Sequence, residues 1–485
     1  MENTITRHCI NPEMLIHRHD ENFNLDHIKT WNYTEFCEFI DFWKVILVEK
    51  YNAQPGQTIF INCGPNIHYY SAFFAAAELG LRLIIDWPHV YNDTDLTDYK
   101  VNIFGKIDFL IVSKTDHNPN STRLYDYKRN LMFGKNIILQ DEFDSYKIQD
   151  HEVYKKMSTT FLAKPTDILA YSFSSGTTGQ PKKIQDTHKK IFLTAKRLGK
   201  LLSVSGNSVL HTRTLHHGAS MCYHFLPGFM SGKEQFTCTN LEKLPKFVER
   251  YSINQLFLYL PDMLINFLTN VSKVNHLVNI TTLYQITPEM LKLVKDKNIN
   301  FIKSPFGDTT IGLGFFVKTV DQSTNEIDYN VTNMGPLLDD FFQVDLRNGL
   351  LYVASPEYDA EYKTSNDVFE LFNGNYYFKG RANGYRINGE WIKLIDLENA
   401  VKEFFGVNGA TITIDTEMQK IYLAIWKNNT EAEKKIDKFF IDNYDNQVSV
   451  SYVLRNESFG EFFNSRKIDH SKIRYVCRKK LLNNI

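Results

Sequence analysis

The chain has no closely spaced cysteine pair: its six cysteines, Cys9, Cys37, Cys63, Cys222, Cys238 and Cys477, are scattered without a CxxC. That argues against a zinc site or a disulfide framework and fits a reducing compartment, so a cytoplasmic location is expected. There is no basic-then-apolar leader in MENTITRHCI. The most apolar long stretch, Ser71 to Ile85, is interrupted by Glu78 and Arg82 and is too short to span a bilayer. Net charge is nearly absent too. Fifty-five basic against 56 acidic residues leave −1, which gives no overall electrostatic reason to expect nucleic acid or an anionic membrane as partner. Repeats and low-complexity tracts are lacking. What is present is the composition expected of a soluble globular protein, 43% hydrophobic and 23% charged, over 485 residues that can hold two or three domains.

The densest chemical signal runs from Tyr171 to Lys183, YSFSSGTTGQPKK, behind an apolar run from Ile168 to Tyr171. Ser174, Ser175, Thr177 and Thr178 crowd together with Gly176 and Gly179, and Pro181 and Lys182 close the string. Glycines let the backbone turn with φ > 0 and approach a ligand closely. Successive N–H groups in such a turn form an anion-binding concavity, to which hydroxyls add donors for phosphate oxygens. The spacing is G-x-x-G-x-x-K with no Ser or Thr after the lysine, so it is not a Walker A loop. A polar surface turn is the plainer alternative. The string resembles the phosphate-binding signature of the adenylate-forming (AMP-binding) superfamily: acyl-CoA and aryl-CoA synthetases, firefly luciferase and peptide-synthetase adenylation domains. That resemblance implies that Ser174, Ser175, Gly176, Thr177, Thr178, Gly179 and Lys182 bind the phosphates of ATP, with Thr178 also catalytic.

Around this string, short apolar runs alternate with helical patterns. Asn32 to Tyr51 has an apolar face of helical spacing, TIFIN (58–62) reads as a strand, and Tyr69 to Leu83 as a buried helix. Ile107 to Ser113 and Asn136 to Leu139 read as buried strands, Thr187 to Leu202 as a helix, and Pro261 opens another, a position where proline fits. The expected fold class is α/β, with layered α/β subdomains and a β-rich subdomain in a large N-terminal domain. From Gly349 the pattern turns to hairpins, and Asn373-Gly374 is the strongest short-range hairpin signal in the chain. The glycine-rich stretch Gly380 to Gly389 sets the expected boundary: 1–382 for the large domain and 383–485 for a small, mobile α+β domain. The chain ends in a basic tail, RKIDHSKIRYVCRKK.

The hairpin carries a geometric expectation of its own. With residues 373–375 as the turn, Asp367 and Arg381 face one another across two strands, and a carboxylate beside a guanidinium can hold a vicinal diol. A weak surface ion pair is the alternative. In the superfamily this pair holds the AMP ribose. By the same resemblance, Phe306 lies against adenine, Gly307, Asp308 and Thr309 line the nucleotide site, and His217 of TLHHGASM lines the acyl pocket. Asn383 is the implied hinge, Arg386 and Gly389 belong to the loop of the second half-reaction, and Lys467 is the implied catalytic lysine. The sequence departs from the family pattern at four of these places, the first being Asn383 where the hinge aspartate is usual. Thr310 stands where a Mg²⁺-binding glutamate is usual, and a hydroxyl is a poorer ligand for a hard dication, so either Asp308 or bound waters make up for the lost charge, or ATP itself carries the metal. Arg466 replaces a glycine, and YKTSND replaces Y-x-T-G-D with one residue inserted.

The implied reaction is ATP- and Mg²⁺-dependent activation of a carboxylic acid to an acyl-adenylate. Pyrophosphate leaves, and the acyl group passes to a thiol, either CoA or carrier-protein phosphopantetheine. From Ser203 to Lys233 there is no Asp or Glu to meet an ammonium group, which favours an acyl or aryl acid over an α-amino acid as substrate. Two alternatives stand beside it: an adenylate-forming enzyme using an amino acid or a non-thiol acceptor, and a non-catalytic nucleotide-binding protein that retains the fold.

Overall fold

The computed structural model describes the chain apart from residues 1–3, 20–27, 64–65, 86–106, 113–136, 140–150, 174–182, 203–205, 213–220, 239, 259–260, 284–285, 287, 309–311, 326–328, 331, 356–359, 382–383, 388–389 and, beyond these, 406–409, 416–419, 426–429, 445–449, 451, 456–462, 465–466, 469–472, 474–475 and 478–485. The chain divides into two compact units, Met1–Ser172 with Lys183–Leu338, and Phe173–Lys182 with Asp339–Ile485. The boundary expected at Asn383 lies outside the described residues.

The larger unit is built on two sheets. One has six strands in the order 137–139, 109–112, 58–62, 82–84, 168–173, 183–187, and its first five run parallel. The other has eight, in the order 312–321, 301–308, 279–281, 255–257, 208–211, 234–237, 15–19, 28–32, with the six inner strands parallel and the two outermost antiparallel to their neighbours. Parallel strands need crossovers, and the helices that supply them bury apolar faces on the sheets. The helix Ile67–Glu78, IHYYSAFFAAAE, is buried on every side, as a sequence apolar around its whole circumference requires. Asn66 caps it by accepting from the Tyr69 N–H at 2.9 Å. The helix is shorter than its apolar run suggests. Gly80, at φ +70°, ends it, and Arg82–Ile84 continues as a strand instead of a last helical turn. Asn32 and Glu35 form a reciprocal capping box at the start of Tyr33–Val45, the helix packed beside it.

The smaller unit contains a four-stranded antiparallel sheet (343–347, 350–355, 360–372, 375–381) and a short hairpin, Gly384–Ile387 with Glu390–Lys393. It also holds a three-stranded sheet (410–415, 420–425, 452–455) carrying the helices Leu394–Phe405 and Thr430–Tyr444. Leu397, Val401, Ile412, Ile421, Leu423, Ile436 and Phe440 form a core that belongs to this part alone. No helix among the described residues is long and apolar enough to cross a membrane.

Candidate active site

The strand Ile168–Phe173 runs parallel to Arg82–Ile84, so the chain enters residues 174–182 from the carboxyl edge of a parallel sheet. That edge is where open α/β sheets bind ligands. The chain re-enters the sheet as Lys183–Thr187, the neighbouring strand. Ser174, Ser175, Gly176, Thr177, Thr178, Gly179 and Lys182 themselves lie outside the described residues, as do His217, Thr309, Thr310, Asn383 and Gly389. At the mouth of the segment, Arg82 donates to the Tyr171 hydroxyl at 3.3 Å, and Lys183 Nζ sits 3.9 Å from the Tyr171 ring centroid. Burial, and then the charge of Arg82, lower the Lys183 ammonium from its ordinary pKa. Two cations thus gather on one aromatic ring beside the candidate phosphate loop.

Phe306, Gly307 and Asp308 are placed at the end of an edge hairpin. The strand runs from Phe301 to Asp308 and pairs with Gly312–Asp321. Phe306 stacks on Phe316 with centroids 6.0 Å apart, and Asp308 pairs with Gly312 across a bulge. Only glycine fits at 307: a Cβ there would come within 2.6 Å of the Gly314 amide nitrogen and 2.9 Å of the Gly312 carbonyl oxygen. Both contacts are to backbone, which cannot swing aside. Gly307→Ala is therefore expected to cost about 1–3 kcal/mol, read as a lower urea midpoint. The opposite strand is held from behind by Arg197, which donates to the Leu313 carbonyl at 3.0 Å and the Gly314 carbonyl at 2.6 Å.

In the smaller unit, Asp367 and Arg381 are direct cross-strand partners, but by a different route from the one the sequence suggests. The turn has two residues, Asn373 and Gly374, at φ +49° and +74°, the conformation of a type I′ turn. Such a turn alone would set Asp367 opposite Gly380. A bulge at Lys379 shifts the register by one and brings Arg381 into line. Asp367 is buried, at 4% exposure. Arg386 lies in the strand Gly384–Ile387 opposite Trp391, and Lys467 opposite Asn464 in a two-stranded ribbon.

No group of three or more His, Cys, Asp or Glu that could hold a metal occurs among the described residues. Asp308 offers a single hard oxygen ligand, a set that fits a Mg²⁺ carried mainly by nucleotide phosphates.

The larger unit also holds a pocket that the sequence does not announce. It has about 370 Å³ of empty volume, part of it open to solvent. Asp186 and Lys190, Ser172, Cys222 and Leu313 are among its walls. The Lys190 ammonium donates to Asp186 Oδ1 at 2.7 Å. The one available signal was the four-residue spacing of this acid and base at the start of a helix, which reads equally as ordinary surface pairing.

A model of the AMP-binding enzyme family matches residues 14–283, more than half of the chain. The chain belongs to the AMP-binding enzyme family. No curated protein matches it in sequence. Solved structures match over nearly the full length. A fatty acyl-adenylate ligase, from work on the E. coli and L. pneumophila enzymes, is 12% identical, covers 97% of this chain and 96% of its own, and superposes with a TM-score of 0.69. The Bacillus subtilis O-succinylbenzoate coenzyme A synthetase in complex with AMP is 14% identical, with 95% of each chain covered and a TM-score of 0.67. A Mycobacterium tuberculosis fatty acyl CoA synthetase is 14% identical, with 93% of each chain covered and a TM-score of 0.65. At such identities the likeness is one of fold, and it agrees with the mixed α/β architecture of this AMP-binding protein. The family match spans the candidate phosphate loop and both strands that bracket it.

Proposed function

We propose that the protein is an acid–thiol ligase. It activates a carboxylic acid with ATP to an acyl-adenylate, releases pyrophosphate, and passes the acyl group to CoA or a carrier-protein phosphopantetheine. The observation that carries this reading is the family match over residues 14–283, which takes in a glycine- and hydroxyl-rich segment that follows a strand of a parallel sheet. Attack of the carboxylate on the α-phosphorus builds charge on the phosphoryl oxygens, so donors already aimed at them lower the barrier. In this reading the backbone N–H groups and hydroxyls of 174–179 and the Lys182 ammonium meet the phosphates. Asp367 and Arg381 hold the ribose, and Phe306 faces the adenine. A Mg²⁺ would screen phosphate charge, with Asp308 as its protein ligand. Asn383 would act as the hinge about which Lys467 is delivered, and Arg386 and Gly389 would serve the thiol step.

The test is pyrophosphate release from Mg-ATP across a panel of acids, followed by thioester formation when CoA is added. Release without thioester would leave adenylation standing and remove CoA as acceptor. No release with any acid would sink the ligase reading and favour the nucleotide-binding alternative, for which Thr310 at the usual glutamate position speaks. Lys467→Ala is expected to lower pyrophosphate release about 10²–10³-fold, the range for losing one donor to developing charge. Unaltered release would strip Lys467 of that role.

A further inference from the structure

Resting on the nucleotide-binding part of the reading above, we propose that Arg197 is a positioning residue for the nucleotide. It holds the backbone bulge that sets Phe306 and Asp308 in place, and so governs how the adenosine end of ATP is received.

The pairing of the hairpin defines what has to be held. From Phe301 opposite Asp321 to Phe306 opposite Phe316 the two strands match residue for residue, and that register would next set Asp308 opposite Gly314. Asp308 instead lies opposite Gly312. Gly307 alone therefore faces Leu313, Gly314 and Phe315, for which the ladder provides no partner. A bulge of this kind bends its strand and re-aims the neighbouring side chains, and bulges recur beside active sites for that reason. It also takes backbone carbonyls out of the ladder, and each one that is shielded from water needs a new donor.

Arg197 supplies two of those donors. Its Nη1 reaches the Leu313 carbonyl at 3.0 Å and its Nη2 the Gly314 carbonyl at 2.6 Å, while the Leu338 N–H donates to the Phe315 carbonyl at 2.9 Å. Arg197 is buried, at 7% exposure. A rigid planar fork suits two successive carbonyls, whereas a lysine ammonium is a single point charge. Gly314 makes the left-handed turn at φ +74°, and a Cβ there would come within 2.8 Å of Leu198 Cδ2. The bulge is thus seated directly on the helix that carries Arg197, and Gly307 presses on Gly312, Leu313 and Gly314 from the other strand.

That helix, His188–Leu202, is fixed at its start. The His188 and Lys189 N–H groups donate to the Asp167 and Pro165 carbonyls at 3.1 and 2.9 Å. Those carbonyls lie just before the strand that enters residues 174–182, and the helix follows directly on the strand that leaves them. Arg197 is roughly 13 Å further along the helix axis. One rigid element therefore carries position from both flanks of the candidate phosphate segment to the hairpin that would face adenine.

The experiment measures, by calorimetric titration of the full chain in Mg²⁺ buffer, the Kd for AMP and for inorganic tripolyphosphate. AMP reports the adenosine end, and tripolyphosphate the phosphate segment without it. Arg197→Met keeps the alkyl stem and removes the fork. It is expected to raise the Kd for AMP about 3- to 10-fold, the worth of one aromatic stack, and to leave the Kd for tripolyphosphate within about twofold. Arg197→Lys should shift AMP the same way by a smaller factor, and decides the matter should the methionine variant not fold. Gly314→Ala, which strains the bulge itself, is expected to reproduce the selective loss. Equal weakening of both ligands would give Arg197 a general structural role and overturn the proposal, and so would unchanged AMP binding. Wild-type protein that binds no AMP, or no tripolyphosphate, is the distinct result that removes the nucleotide reading on which this rests.

Discussion

Lowering the pH from 7 towards 4 is expected to destabilise the larger unit by on the order of 5 kcal/mol through His188 and His211 alone. Both are buried and both have pKa values lowered from 6.5 to about 4, by desolvation above all. Asp167 acts to raise His188, and the Gln235 hydrogen bond acts to raise His211, without offsetting burial. Their surroundings fix the neutral form. The Ile5 N–H donates to His188 Nδ1 at 3.2 Å, an interaction that a proton on that nitrogen would abolish. Gln235 donates through Nε2 to the carbonyls of Gly228 and Lys233, which leaves its Oε1 to accept from His211 Nε2 at 2.8 Å. Beside it His224, donating to the Leu210 carbonyl at 2.7 Å, is held well below its ordinary pKa, first by burial and then by His211.

Near pH 7 the histidines are mostly neutral in both folded and unfolded chains, so their contribution is nearly complete. Below 6.5 the unfolded chain takes up protons that the folded chain refuses until about pH 4. Stability therefore falls as pH falls through that window, by about 1.4 kcal/mol per unit for each histidine. Urea midpoints followed by tryptophan fluorescence at pH 7, 6 and 5 measure it. His211→Gln should flatten the slope by nearly one proton, and a midpoint independent of pH above 5 would contradict the account.

What the sequence made legible, and what it hid, follow from the range of the forces involved. Local chemistry was readable: the strand at 58–62, the proline-started helix at 261 and the Asn373-Gly374 turn are written in residues that touch only their chain neighbours. The end of the helix at Glu78 was misjudged because AAELGLRL is apolar on both sides of Gly80, and only the left-handed glycine separates helix from strand. The strands Leu15–His19 and Ile28–Asn32 were not anticipated. Their LIHRH and IKTWN patterns are half polar, which suits the edge of a sheet better than the apolar runs that mark its centre. The Asp367–Arg381 register came out as expected because two misreadings cancelled: a turn one residue shorter and a bulge one residue longer. Asp186 stayed hidden for another reason. A pocket is made by segments far apart in the chain, here 172, 186–194, 221–222 and 312–313, and no local pattern encodes their meeting.

Glu78 shows the same limit, since in sequence it reads only as an interruption of an apolar stretch. In the fold it is fully buried and ties three segments together. Its carboxylate accepts from the Arg7 backbone N–H at 2.7 Å, from Arg7 Nε and Nη2 at 2.9 Å each, and from Lys44 Nζ at 2.9 Å. Asp41 supplies the second anion on Arg7, and the Lys44 ammonium lies 4.6 Å from the Phe161 ring centroid. Two cations and two anions balance away from water. Burial disfavours the Arg7 charge, yet the hydrogen bonds that Arg7 donates to Asp41 and Glu78 more than offset it and its pKa rises; at Lys44 burial outweighs Glu78 and the pKa falls. Glu78→Ala leaves two buried cations to one carboxylate and is expected to cost about 3–5 kcal/mol, a large share of a typical domain's stability. Glu370→Ala, which breaks only the exposed pair with Lys379, should cost no more than about 1 kcal/mol. The charge argument is separable from packing. Replacing Glu78 and Lys44 together by methionine removes one ion of each sign, keeps apolar volume, and leaves Arg7 with Asp41. That double variant should recover most of the loss seen in Glu78→Ala, because replacing a buried pair costs far less than orphaning one partner. Equal urea midpoints for the single and double variants would mean that the damage is a cavity and not an unmatched charge.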